Sequence, residues 1–346
     1  MREGAEGNMQ DRVDDLSFIN YREWEDLDLM DLSEKFYFSY ALAVSANWDA
    51  NRPDIRITRS DRKVNTDALF DIASISKVIL STLIVKMLLQ EDLNLDEEVV
   101  QGFSVRDFLS YSAIVKQKSW ESFRDFLYNE SYNTDTLWKQ IRSLDFTSSK
   151  AYYSNMPALV LSLYLQEKFG KTLTELMRMY LPELRGMSIS HELLSDHEAF
   201  PVTTKDKVPT IYDPSTRAIF EKGVETLHGG VFASAKHMME LARVNLNLAR
   251  EFSEEYSKLN ILFKSGKEPL YLLGWFVAPK NSNVFAGMST PAWFKSSFSG
   301  SFVTVLPGSN RAVIFLSDMA RARAKYPGFS NERDELYNLI LRAAKV

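Results

Sequence analysis

The chain has 346 residues, of which 45% are hydrophobic and 25% charged, with 14 Gly and 11 Pro; that composition excludes a largely disordered chain and a collagen-like array. The net charge of −5, from 41 basic and 46 acidic residues, provides no whole-chain field for nucleic acid. The absence of cysteine excludes disulfide frameworks, zinc ribbons, iron–sulfur sites and thiol nucleophiles.

Residues 1–33 are acidic and weakly patterned, and read as an N-terminal extension without the apolar stretch of a secretory signal. The charge-free aromatic and aliphatic run at 36–44 predicts a strand. After turn residues at 49–53, the alternation at 54–58 predicts its antiparallel partner. Apolar spacing becomes helical over 76–90. Ser104, with Asp107 three residues on, is a capping-box start. Further helices are expected across 120–145, across 156–182 with Gly170 and Pro182 as stops, and across 233–248. Strands return at 271–277, 293–298, 302–306 and 312–316, the last two joined by the turn residues Pro307, Gly308, Ser309 and Asn310. An amphipathic helix is expected at 332–345.

Strands at both ends and helices between them predict an α+β fold: one antiparallel sheet built from both chain ends and flanked by helices, with an inserted, mostly helical lobe. The sheet lobe is expected over 34–73 and 268–346 and the helical lobe over 74–267, within a single domain spanning 34–346. The longest apolar run, 78–89, is interrupted by Ser81, Thr82 and Lys86 and is too short for a bilayer, so no transmembrane segment is expected. The cleft between two such lobes is the expected place for a site.

The spacing S-x-x-K occurs twice. Ser60 and Lys63 lie in a charged loop and are set aside. Ser74 and Lys77 directly precede the strongest apolar helix. Three residues make about one helical turn, which places Lys77 beside Ser74. A serine at a helix start, next to an amine that burial makes easier to deprotonate, is a nucleophile with an adjacent base. Taken alone, the same spacing describes an N-cap serine followed by a surface lysine. Tyr153-Ser154-Asn155 offers a phenol to relay a proton and an amide to bind a carbonyl or hold the lysine, or else simply a helix start capped by Ser154 or Asn155. Lys295-Ser296-Ser297-Phe298, on a late strand, supplies a second amine and a backbone N–H for an oxyanion, or else a solvated edge strand.

In this order the three segments resemble the serine β-lactamase and penicillin-binding protein superfamily, in particular its class C β-lactamase-related group of DD-peptidases and esterases. The resemblance extends through 69–77, 104–114, 153–170, Ile211-Tyr212-Asp213-Pro214, 229–235 and 295–301. It implies a β-lactamase/transpeptidase-like fold and a serine acyl hydrolase working through a covalent acyl-enzyme, of D-alanyl peptidase, β-lactamase or esterase type. The alternative is a catalytically degenerate binding protein of the same fold. By the resemblance, Ser74 is the nucleophile and Lys77 and Tyr153 share the general-base work. Asn155 orients the substrate amide, and Lys295 tunes Tyr153 and attracts a substrate carboxylate. Ser296, Ser297 and Phe298 line the substrate strand, and the N–H groups of Ser74 and Phe298 form the oxyanion hole. A small-molecule or peptide substrate and no cofactor or metal are implied. Members are often exported; this sequence shows no export signal, which implies a cytoplasmic chain only if it is full length, and the location stays open.

The sequence departs from the pattern at three places. Ser297 stands where the group has glycine, so its hydroxymethyl would narrow the cleft or add a hydrogen bond. Tyr111-Ser112-Ala113-Ile114 lacks the usual His and Gly, and Tyr212 stands where His is common. Of the other chemistry-bearing residues, His191, His197, His228 and His237 form no metal-ligand spacing, and Asp213 before Pro214 reads as an Asx-type turn. Trp275 and Trp293 read either as shaping an apolar pocket at the cleft or as plain core packing.

Overall fold

The computed structural model describes residues 40–45, 55–59, 68–149, 152–187, 189, 199–200, 211, 213–251, 270–272, 275–278, 292–319, 337 and 340–341. In chain order, β1 (Tyr40–Ser45) and β2 (Ile55–Arg59) are followed by β3 (Leu69–Asp71), a 3-10 turn (Ala73–Ile75) and α1 (Ser76–Leu89). A short ladder of β4 (Glu98–Val100) and β5 (Phe103–Ser104) leads into α2 (Val105–Leu109). Next, β6 (Ala113–Val115) and β7 (Phe146–Ser148) enclose α3 (Gln117–Asn129) and α4 (Thr134–Arg142). After α5 (Met156–Phe169) and α6 (Leu173–Tyr180) come β8 (Ala199–Phe200), α7 (Pro214–Glu221), β9 (Phe232–Ala233) and α8 (Ala235–Glu251). The last strands are β10 (Leu270–Leu272), β11 (Trp275–Ala278), β12 (Ala292–Ser296), β13 (Phe302–Leu306) and β14 (Arg311–Ser317).

The main sheet runs β10-β11-β12-β13-β14-β1-β2 and is antiparallel throughout. The two chain ends meet where β1 lies on β14, with Tyr40 opposite Ser317, as the α+β reading requires. Every residue of β1 and β13 is buried, because the sheet is covered on both faces. α8 packs on β1, β13 and β14, and the Tyr337 ring stacks edge-on against Phe302 at 4.7 Å. β3 does not join this sheet. It pairs in parallel with β8 and antiparallel with β9, in a small second sheet just before Ser74.

Two helices are buried nearly all round: α1, down to Met87, and α5, down to Leu165. An apolar surface on every side makes each a core element rather than a surface helix. The expected helical stretch at 120–145 is two helices. α3 ends at Asn129 and α4 restarts behind Asn133, whose side chain accepts the Thr136 N–H at 2.9 Å. Gly170, at φ +60°, ends α5, and Pro182 opens a 3-10 turn after α6. The expected strand at 293–298 stops at Ser296, because Ser297 begins a tight turn back toward Ser301. Gly300 sits in that turn at φ +91°, where a Cβ would stand 2.5 Å from the Met319 Cβ. Residues 1–33, the Ser60/Lys63 pair, His191, His197 and Tyr212 lie outside the described residues. So does the 332–345 helix apart from Tyr337, Ile340 and Leu341, which are helical and buried. Among the described residues no helix is long and apolar enough to cross a membrane.

Candidate active site

The small second sheet brings the chain to Ser74 through a strained turn. Ala73 has φ +44°, a left-handed conformation that costs a non-glycine residue about 1–3 kcal/mol. Two bonds hold it: the Asp71 carboxylate accepts the Ala73 N–H at 2.8 Å, and the Ile72 N–H is bound by the Val231 carbonyl at 3.0 Å. Ser74 therefore lies in the 3-10 turn ahead of α1 rather than at the N-cap, which is Ile75, and it is half-buried among buried neighbours.

Lys77, one turn further on, is 2% exposed, so the surface-lysine alternative does not describe it. Its Nζ lies 3.1 Å from Ser74 Oγ and donates to Asn155 Oδ1 at 2.8 Å and to the His228 carbonyl at 2.6 Å. It also borders a cavity of about 20 Å³ walled by Leu80, Phe108, Leu109 and Leu161. Burial in these surroundings lowers the Lys77 pKa from 10.5 to about 7, with the negative charge of Asp213 pulling the other way.

Asn155 stands at the N-cap of α5 yet makes no side-chain cap bond; its carbonyl is given to Lys77, 78 positions away in sequence. Tyr153 is approached by both lysines: Lys77 Nζ is 5.5 Å and Lys295 Nζ 4.1 Å from its ring centroid. Tyr111 leans on the same ring at 5.4 Å and holds a left-handed φ of +58°. Lys295, on β12, is 5% exposed. Burial, then the nearby Lys77, push its amine well below the usual lysine range. A desolvated cation over a tyrosine face gains about 2 kcal/mol, which offsets only part of the several kcal/mol that burying an ion costs.

Ser296 ends β12 half-buried. The Ser297 hydroxyl is bound to Ser299 Oγ at 2.7 Å and to the Ser301 carbonyl at 3.2 Å, so the serine in place of glycine builds the turn. Phe298, at 43% exposure, faces outward from it. Residues 74, 77, 153, 155 and 295 thus form one cluster, and β12 packs against the turn that carries Ser74.

A family model, Beta-lactamase, matches residues 48–325. The chain belongs to the beta-lactamase family. The fold of this beta-lactamase family member is also that of the beta-lactamase from Sulfitobacter sp. EE-36, with TM-score 0.59 and 14% identity over 98% of this chain and 100% of that one. The octameric penicillin-binding protein homologue from Pyrococcus abyssi is similar at TM-score 0.62 and 16% identity, over 94% of this chain and 77% of that one. The class C beta lactamase from Rhodobacter sphaeroides is similar at TM-score 0.58 and 16% identity, over 92% and 97%. No curated protein matches the chain. Family membership supports serine acyl hydrolase chemistry in general.

Reading the sequence alone passed over two residues of this cluster. Tyr111 registered only as a departure from the family pattern, and His228 only as a histidine without metal spacing. His228 joins through its main-chain carbonyl, which has no sequence signature; the adjoining Gly229-Gly230 pair was the one available signal. Trp275 and Trp293 are core residues, 0% and 7% exposed, which is the core-packing alternative. Asp213 is the N-cap of α7, accepting the Thr216 N–H at 2.7 Å, which is the Asx-type geometry expected of it.

Proposed function

We propose that this beta-lactamase family member forms a covalent acyl-enzyme at Ser74 on a small amide or ester and hydrolyses it with water. The observation that carries the reading is the contact set of Lys77. A neutral amine has two N–H bonds and one lone pair. The carbonyls of Asn155 and His228 can only accept, so they take both N–H bonds, and the lone pair is left for the Ser74 hydroxyl at 3.1 Å. That distance suits a general base, and an amine with a pKa near 7 is largely neutral just above neutral pH.

In this reading Lys77 takes the hydroxyl proton as Ser74 Oγ bonds to the substrate carbonyl carbon. The oxyanion is met by the N–H groups of Ser74 and Phe298. Collapse breaks the bond to the leaving group, which departs with a proton relayed through Lys77 and Tyr153. Water then adds to the acyl-enzyme with the same base and releases the acid. Asn155 serves both Lys77 and the substrate amide. Lys295 holds Tyr153 in place; because its amine lies on the ring, its pull on a substrate carboxylate is indirect, and a modest preference for carboxylate-bearing substrates is expected. A non-catalytic binding module would have no use for an amine buried at such cost beside a half-open serine.

The test is labelling with a fluorophosphonate and with a fluorescent penicillin, read by intact mass. An adduct that disappears in Ser74→Ala supports the reading, and a protein left unmodified by both reagents overturns it. Hydrolysis of a p-nitrophenyl ester against a peptide ending in D-Ala-D-Ala, with free or amidated C-terminus, then sorts esterase from peptidase and measures the carboxylate preference.

A further inference from the structure

A polar network ends on Lys77 through the His228 carbonyl. The His228 ring is 2% exposed and lies between two threonines: Nε2 is 3.1 Å from Thr216 Oγ1 and Nδ1 is 2.8 Å from Thr226 Oγ1. Thr216 Oγ1 is also 2.8 Å from Asp213 Oδ1. These contacts fix every proton. A carboxylate only accepts, so the Thr216 hydroxyl donates to Asp213 and its oxygen accepts from His228 Nε2–H. Burial, then Lys77, hold the His228 pKa at about 3, so the ring is neutral with a single N–H. Its Nδ1 therefore accepts, and Thr226 donates to it.

The backbone that carries this ring is pinned on both sides. The Leu227 N–H is bound by Ser162 Oγ at 3.0 Å, and the Val231 carbonyl holds Ile72, two residues before Ser74. Gly229 lies flat on Thr216, where a Cβ would stand 3.0 Å from both Oγ1 and Cγ2. One loop, 226–231, thus registers the nucleophile turn through one carbonyl and the amine of Lys77 through another.

We infer that Asp213, Thr216 and His228 are positioning residues for Lys77: their hydrogen-bonded chain fixes the His228 carbonyl that aims the amine at Ser74. The charge of Asp213, at the far end of that chain, favours the protonated amine. This inference rests on the acyl-hydrolase reading for its consequence and on the network alone for its geometry. The titratable groups that face the amine are Asp213 on α7, His228 in the loop, Tyr153 ahead of α5 and Lys295 on β12.

The two halves are separated by two variants. Asp213→Asn keeps the cap acceptor and removes the charge. The Lys77 midpoint, read from its Cε resonance by NMR titration, is expected to move to lower pH, and the acid limb of Ser74 acylation by a fluorophosphonate to move with it. Thr216→Val keeps the charge and cuts the chain. A slower acylation, by about tenfold or more, is expected from the misplaced amine, and Thr216→Ser is expected to restore it. Thermal unfolding identifies any variant that fails to fold, and the NMR titration of Asp213→Asn stands even if Thr216→Val is lost. An unmoved Lys77 midpoint in Asp213→Asn, or folded Thr216→Val acylating like wild type, overturns the inference while leaving the hydrolase reading in place. A wild type that never acylates sinks that reading instead, and the NMR titration still judges the network.

Discussion

Several of the helices open on a side-chain cap, whereas the two that deliver Lys77 and Asn155 do not. α2, α4, α6 and α7 open on Ser104, Asn133, Thr172 and Asp213, each accepting a backbone N–H of its own first turn. α1 and α5, which deliver Lys77 and Asn155, open without a side-chain cap, as does α3 at Lys116 beside its ion pair with Asp145. A cap is worth about 1 kcal/mol. At α5 the residue suited to supply it spends its carbonyl on Lys77 instead. At α1 the preceding turn holds a strained Ala73 and leaves Ser74 free of cap duty. At α5, capping and the Lys77 contact compete for one side chain, and the Lys77 contact takes it.

Substitution at the site should therefore affect rate, and substitution at a distant cap should affect stability. The largest effect is expected for Lys77→Met, which removes the base and should slow Ser74 acylation by roughly 10²–10⁴-fold. It should also abolish a stability term. The Lys77 pKa falls from 10.5 to about 7 on folding, so the folded state binds fewer protons between those values. The cost, roughly 5 kcal/mol, is fully present below pH 7 and is relieved as pH rises toward 10.5. Denaturant unfolding of wild type should show stability rising across that window from this group, with the slope reduced in Lys77→Met.

Asn155→Ala should slow acylation by about 10–100-fold, because an amine with one acceptor fewer is no longer aimed, with little change in unfolding midpoint since no cap is lost. Asn155→Asp should shift the acid limb of acylation to higher pH, because an added negative charge favours the protonated amine. The smallest effect belongs to Thr172→Ala, expected to cost about 1 kcal/mol in urea unfolding and to leave acylation at the wild-type rate. A catalytic loss there, or a stability loss without a rate loss in Asn155→Ala, would break the contrast.

Much of this could be read in the chain. Continuous apolar runs at both ends gave the sheet, and the S-x-x-K spacing before a strongly apolar helix gave the pair of Ser74 and Lys77, because one helical turn is a local property. Asn155 was visible only as one of two alternatives, a cap or a ligand, since choosing between them needs the contact across 78 positions. His228 was not legible as a participant, because its contribution is a main-chain carbonyl reached across 151 positions. The break at 130–133 was overlooked because the apolar spacing of α3 runs into that of α4, and Asn133 acts there as a cap. Of the two alternatives for Ser297, a narrower cleft or an added hydrogen bond, its hydroxyl does make hydrogen bonds, and they tie a turn with Ser299 and Ser301.

The most direct test of the central claim is the rate at which a fluorophosphonate modifies the protein between pH 5 and pH 9, with the adduct mapped to its residue by peptide mass spectrometry. The account predicts one adduct, on Ser74, forming at a rate that climbs through about pH 7 as Lys77 loses its proton, and no such climb in Lys77→Met. An adduct on another residue, or a Ser74 rate that ignores pH across that range, would contradict it.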